Sequence, residues 1–308
     1  MTMRAAVIDG FGAPDRLRLA ELPVPEPGPG EVLVRVAAAG VNAIDWLSRA
    51  GRGVAVESFP AVLGWDLAGS VAATGPGAGR FAVGDRVYGM PRFPALAGAY
   101  AGYAVAPESE LAPVPEGLEY VEAAALPMVV LTAWQTLFEH GGLTAGQRVL
   151  VPGAAGGVGH VVVQLAADAG AEVVGTASAG NRDFVLSLGA REVVAHDMVR
   201  EVKGVDLAVD PMGGAEWFRL LDVVRPGGVV VSLKGEGAGQ AGAAEARGVR
   251  AGFTYVRPDV GVFERVSALL GARRLRGHVH RVFSLDEVSQ AHVVGEQGHV
   301  RGRLVLEL

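Results

Sequence analysis

The chain has 308 residues, half of them hydrophobic and 19% charged, with 45 glycines and no cysteine, which excludes disulfides, thiolate nucleophiles and sulfur-ligated zinc. Its formal charge of −6, from 33 acidic and 27 basic side chains, argues against a binder of phosphate backbones, so no nucleic-acid partner is expected. The first ten residues lack a signal-peptide core and no uncharged apolar run reaches about 18 residues, so no membrane partner and a cytoplasmic location are expected.

In chain order, residues 1–122 alternate short apolar runs with Gly and Pro, the texture of an irregular β-rich domain. Strands are predicted at 32–36, 68–73 and 85–88, with Pro23, Pro25, Pro27 and Pro29 as a stiff extended lead-in. From 123 the rhythm changes to helix and strand in alternation. One helix is predicted over 123–140, a buried strand over 148–151, a helix over 158–169, a strand over 172–176 and a helix over 182–188. Strands follow at 192–195, 205–209 and 228–233, with a helix at 216–224, a loop at 235–248 that reads as mobile, and a sixth strand over 249–256. This α/β pattern over 123–258 implies a doubly wound parallel sheet. Residues 259–308 read as a bridging helix at 260–272, β texture at 278–283, a short helix near 286–292 and a last strand at 304–306. That tail is expected to rejoin the first domain.

The strongest motif is Val149-Leu150-Val151-Pro152 running into Gly153-Ala154-Ala155-Gly156-Gly157-Val158-Gly159. A strand, a small-residue turn and a helix start are what a dinucleotide pyrophosphate requires. The backbone must approach closely, and the helix N-terminus offers free N–H groups. Ala155, Gly156, Gly157, Val158 and Gly159 are therefore cofactor candidates. An NAD site places a carboxylate after the second strand to hold the ribose 2′-hydroxyl. Here that strand runs into Ala177, Ser178, Ala179, Gly180, Asn181 and Arg182. Ser178, Asn181 and Arg182 suit a 2′-phosphate, which points to NADPH, although Arg182 can also simply solvate a helix start.

These blocks resemble the zinc-free quinone oxidoreductase group of the medium-chain dehydrogenase/reductase superfamily. The resemblance rests on Val41-Asn42-Ala43-Ile44-Asp45 with Arg49 and Gly51, on Gly64-Trp65-Asp66-Leu67-Ala68-Gly69 and on Val83-Gly84-Asp85-Arg86-Val87. It continues in Leu131-Thr132-Ala133-Trp134, the glycine turn, and His299-Val300-Arg301-Gly302-Arg303. It implies a GroES-like catalytic domain completed by the C-terminus, a Rossmann domain, and an active site in the cleft between them. It also implies NADPH-dependent reduction of quinones or α,β-unsaturated carbonyls by a homodimer.

Zinc-containing relatives carry a Gly-His-Glu segment where this chain has Gly64-Trp65-Asp66. His278 and His280 supply only two ligands, so no metal is expected. The positioning candidates are Asn42, Asp45, Trp46 and Thr132. The resemblance puts Asn42 near the nicotinamide and Thr132 on the opposite wall. Asn42 can donate an N–H to a carbonyl oxygen or serve as a turn residue. Asp45 can act in the chemistry or cap its helix through Arg49, and Trp46 can stack on a quinone ring or pack. Many relatives have a tyrosine where this chain has Leu47, which removes one proton donor. For the cofactor the resemblance adds His196, Leu233, Gly235, Phe253, Tyr255 and Arg303. The readings left open are a quinone reductase, a dedicated alkenal or enone reductase, and a protein that binds NADPH without turnover.

Overall fold

The computed structural model describes every residue except Glu236 and Ala238. The chain divides into two units, one of Met1–Met128, Arg257–Ala272 and Gly277–Leu308, the other of Val129–Val256 and Arg273–Arg276. The first unit opens with β1 (Thr2–Ile8), β2 (Leu17–Pro23), β3 (Glu31–Val41), α1 (Ala43–Arg49), β4 (Ala61–Val62) and β5 (Asp66–Thr74). It continues with β6 (Arg86–Gly89), β7 (Tyr103–Pro107), β8 (Leu111–Pro113) and α2 (Tyr120–Ala124). β1 lies between β2 and β4 in a small antiparallel sheet. β3 is buried on both faces over most of its length, as expected of a central strand in a Val- and Ala-rich run.

The helix predicted over 123–140 is broken. α2 ends at Ala124, α3 spans Pro127–Trp134, and Gln135–His140 forms a π-helical turn. The break has a polar cause. Pro127 takes the first position of α3, where its missing N–H costs nothing. The carboxylate of Asp66 accepts the Met128 N–H at 2.8 Å, and Arg303 donates through Nε to the Ala125 carbonyl at 3.0 Å. Residues 123–128 therefore go with the first unit.

The second unit carries β9 (Arg148–Val151), α4 (Gly159–Asp168), β10 (Glu172–Thr176), α5 (Arg182–Ser187) and β11 (Glu192–Val194). β12 (Val205–Asp210), α6 (Ala215–Leu221), β13 (Val224–Ser232), α7 (Gln240–Glu245) and β14 (Arg250–Phe253) follow. All six strands are parallel in the order β11-β10-β9-β12-β13-β14. The order reverses between β9 and β12, where doubly wound sheets bind ligands at the carboxyl ends of their strands. The amino ends are laced by charge instead. Arg148 on β9 meets Glu172 on β10 and Glu192 on β11, while Arg225 on β13 meets Asp206 on β12. The loop expected over 235–248 is in part a helix, α7, whose Ala244 is buried in the core. Glu236 and Ala238 in that stretch lie outside the described residues.

The chain then returns to the first unit with α8 (Val260–Gly271), β15 (Val279–Ser284), α9 (Val288–Gln297) and β16 (Arg303–Glu307). Asp259 caps α8 by accepting the Gly261 and Val262 N–H groups. β16 pairs antiparallel with β3, Leu304 opposite Val41, and β15 adds beside it. The large sheet of this unit thus runs β15-β16-β3-β5-β6-β8, with β7 also on β3.

Candidate functional site

Two groups of predicted residues emerge, one in each unit. In the first, Asn42 sits at the junction of β3 and α1, with an extended backbone and 3% exposure. Asp45, three residues on, reaches back to accept the Asn42 N–H at 2.7 Å, closing a capping box. The Asn42 side chain is bound at both ends. Its Nδ2 donates to Asp66 Oδ2 at 2.9 Å, and its Oδ1 accepts from Arg303 Nη2 at 2.7 Å. Arg303 also pairs with Asp66 Oδ2 at 2.9 Å. Asn42 and Arg303 are almost fully enclosed, and Asp45 and Asp66 show no exposure.

Such a cluster shifts the ionisation of its members. Burial raises the Asp45 carboxyl to about 7, against the hydrogen bonds from the Tyr100 hydroxyl and the Asn42 N–H. Burial raises Asp66 to about 6, with the Arg303 charge pulling it down. The Tyr100 hydroxyl donates to Asp45 Oδ2 at 2.6 Å, and burial with the neighbouring carboxylate holds it well above its ordinary value.

The expected pairing of Asp45 with Arg49 is not what forms. Arg49, 2% exposed, pairs with Glu296 at 2.5 Å, bonds the Gly12 carbonyl at 3.0 Å and approaches His292 Nδ1 at 3.1 Å. Asp45 caps its helix directly, through its own carboxylate. Trp46 is half-buried on the core, edge-on to His292, and a Cβ at Gly295 would lie 2.5 Å from its ring. It packs against α9. Leu47 is half-buried as well. Arg303, expected with the cofactor, belongs to the Asn42 cluster: its guanidinium is committed to Asn42, Asp66 and Ala125.

In the second unit, the segment after β9 is a tight glycine turn that leads into α4. Gly153 adopts φ +63°, and a Cβ on Gly159 would lie 2.3 Å from the Gly153 carbonyl oxygen, so only glycine fits at the start of α4. Gly156, Gly157 and Val158 are half-buried, and Ala155 is buried beneath them. Thr176, at the carboxyl end of β10, links the turn to the next strand. Its hydroxyl accepts the Gly153 N–H at 3.2 Å and lies 2.9 Å from Nδ1 of His196, just past β11. A pocket of about 200 Å³ opens beside His196, lined also by Asp197, Val199, Arg200 and Arg219.

Ser178 and Arg182 are exposed and Asn181 half-buried, while Arg182 donates through Nη1 to the Val193 carbonyl. Leu233 donates its N–H to the Asp210 carbonyl at 2.8 Å, and Gly235 follows with φ +97°. Phe253 is half-buried and Tyr255 is 57% exposed, their rings 6.3 Å apart. Thr132 is buried in α3.

Three residues escaped the sequence reading. Asp66 entered only within the Gly64–Gly69 block and its missing zinc ligand, with no role of its own, Tyr100 carried no motif, and Thr176 read as the last residue of a strand. The one available signal was Arg303, a charge directly before Leu304-Val305-Leu306, since a cation on a buried strand needs an acid.

Residues 28–116 match the alcohol dehydrogenase GroES-like domain family and residues 188–306 the zinc-binding dehydrogenase family. A Danio rerio protein described as NAD(P)H oxidoreductase RTN4IP1, mitochondrial, is 32% identical over 99% of this chain and 91% of its own. The quinone oxidoreductase of Rattus norvegicus is 30% identical over 99% of this chain and 98% of its own. The quinone oxidoreductase structure from Coxiella burnetii superposes with a TM-score of 0.95 at 32% identity, covering 100% of both chains.

Despite the second family's description, the residues present do not fit a zinc site. The chain has no cysteine, and Trp65, in place of the histidine, is fully buried and donates its indole N–H to the Ala95 carbonyl at 2.7 Å. Among the described residues no group of three His, Asp or Glu is placed to hold a metal ion.

Proposed function

Given that the chain belongs to the quinone oxidoreductase group of the medium-chain dehydrogenase/reductase superfamily, we propose that this oxidoreductase uses NADPH to reduce quinones or α,β-unsaturated carbonyls without zinc. The observation that carries the reading is the edge formed by the turn after β9, Thr176 and His196, together with the lack of a carboxylate from Thr176 to Arg182. An acid there would hold a 2′-hydroxyl and repel a 2′-phosphate. Ser178, Asn181 and Arg182 are the groups proposed to receive that phosphate, and His196 the residue proposed to lie near the adenosine.

The cofactor supplies a hydride, which an activated alkene accepts with no nucleophile from the protein. The protein's share is to hold the reactants and to stabilise charge as it develops on the carbonyl oxygen. Asn42 is the donor assigned to that oxygen. Leu47 stands where many relatives carry a tyrosine, and the Tyr100 hydroxyl is committed to Asp45, so solvent or a ribose hydroxyl returns the proton. A homodimer in the cytoplasm completes the proposal.

The test follows NADPH oxidation with 1,4-benzoquinone, 9,10-phenanthrenequinone, acrolein and a cyclic enone. Turnover of the quinones supports the reading, turnover of the enones alone narrows it, and NADPH binding without any turnover overturns it. Arg182→Ala is expected to lower the NADPH-to-NADH affinity ratio by about tenfold or more, as a charge-assisted bond to phosphate is lost. An unchanged ratio removes Arg182 from the phosphate site.

A further inference from the structure

An asparagine amide has one accepting end and one donating end of nearly equal size, and its chemistry depends on which end faces which neighbour. Resting on the reading above, we propose that Arg303 and Asp66 are positioning residues that lock the Asn42 amide in one orientation, so that its second N–H is always the group offered to the substrate's carbonyl oxygen.

A guanidinium carries only donors, so the Asn42 atom 2.7 Å from Arg303 Nη2 must be the oxygen. The other end then meets Asp66 Oδ2 at 2.9 Å as a donor. Turning the amide over would set N–H against N–H at Arg303 and oxygen against oxygen at Asp66. Both supports are anchored away from Asn42, Arg303 on the Ala125 carbonyl and Asp66 on the Met128 N–H. They are also paired with each other at 2.9 Å.

The backbone of Asn42 is held separately, by the Asp45 carboxylate that Tyr100 supports. No freedom is left for the residue to present its oxygen instead. Of the two amide hydrogens, one is spent on Asp66 and one remains. A donor oriented before the reaction needs no reorganisation when charge reaches the carbonyl oxygen, and there it does the most good. A flipped amide would offer an acceptor to an oxyanion and raise the barrier.

Arg303→Lys keeps a donor-only group facing Oδ1, whereas Arg303→Gln offers both a donor and an acceptor and permits the flip. With the enone that the wild type turns over, Arg303→Lys is expected to retain most of kcat. Arg303→Gln should lose on the order of tenfold to a hundredfold in kcat with KM and NADPH affinity little changed. Equal losses in two folded variants would make Arg303 purely structural and overturn the proposal, as would wild-type kcat in either Arg303→Gln or Asn42→Leu.

The wild-type protein gives a readout that does not depend on turnover or on variant folding. Its Asn42 side-chain amide, assigned by its absence from Asn42→Leu in ¹⁵N–¹H spectra, should show one proton shifted downfield by the carboxylate. The other proton alone should move when NADP⁺ and cyclohexenone are added. Two averaged protons, or movement of the downfield one, overturn the lock. If no quinone or enone is reduced, the proposed reaction has failed, and the two-proton signature in the free protein still decides the lock.

Discussion

The surroundings of Asn42 and the glycine turn are built on opposite terms. Around Asn42, side chains from four places in the chain bind one another with almost no exposure. At the carboxyl ends of β9, β10 and β11 the chain offers backbone and small residues, and Ser178, Arg182 and His196 stand in solvent. Under the proposed function the two regions answer different ligands. A dinucleotide brings charges and many acceptors of its own, so bare N–H groups and a tight turn suffice. A lone carbonyl oxygen brings little binding energy, so its donor must be oriented in advance, and orientation takes neighbours.

The comparison is broken most directly at Arg303. Arg303→Met leaves the fully buried Asp66 without its cation, and the expected cost in urea denaturation is about 3–5 kcal/mol. A cost below about 1 kcal/mol would mean that the cluster contributes little to the stability of the first unit.

Next in size is a pH effect. Burial raises Asp45 from 3.8 to about 7, so between these values the folded chain keeps a proton that the unfolded chain has lost. The stability this gives is full below about pH 4 and gone above about pH 7. His292 has the opposite sign. Burial, with the Arg49 charge second, lowers it from 6.5 to about 3, so its contribution is full above pH 6.5 and is lost as pH falls toward 3. In Asp45→Asn only the first slope disappears. Its stability relative to the wild type should rise by about 1.4 kcal/mol per pH unit between about pH 4 and 7 in parallel urea titrations.

At the turn, Gly159→Ala forces a methyl onto the Gly153 carbonyl, and a loss of about 1–3 kcal/mol with weaker NADPH binding by fluorescence titration is expected. The smallest effect is that of Thr176→Val, which deprives the Gly153 N–H and His196 of a partner. It should cost about 1 kcal/mol and weaken NADPH less than Gly159→Ala does.

The second unit was the more legible because its signals are local. A strand, a glycine turn and a helix lie within about twenty residues, and β10 and α5 fall where their patterns place them. The single helix over 123–140 was misread for the opposite reason. Asp66 and Arg303, about 60 and 175 residues away, bind at the break and make two shorter helices cheaper than one. The loop expected over 235–248 was misread on its glycines, although Ala243 and Ala244 could already support α7 and the core rewards it.

The sequence by itself determined the parallel sheet, the tight glycine turn after its first strand and the absence of thiol chemistry, because each follows from neighbouring residues or from composition. Only the tertiary structure decided what Asn42, Asp45 and Arg303 bind within the fold. Those bonds depend on partners that are remote along the chain, Tyr100 and Asp66 among them, and on burial that leaves the groups no water to bond instead. Arg303 is bonded to Asn42 and Asp66 for that reason: a charge on a buried strand goes where its acid is, and residue order does not say where that will be.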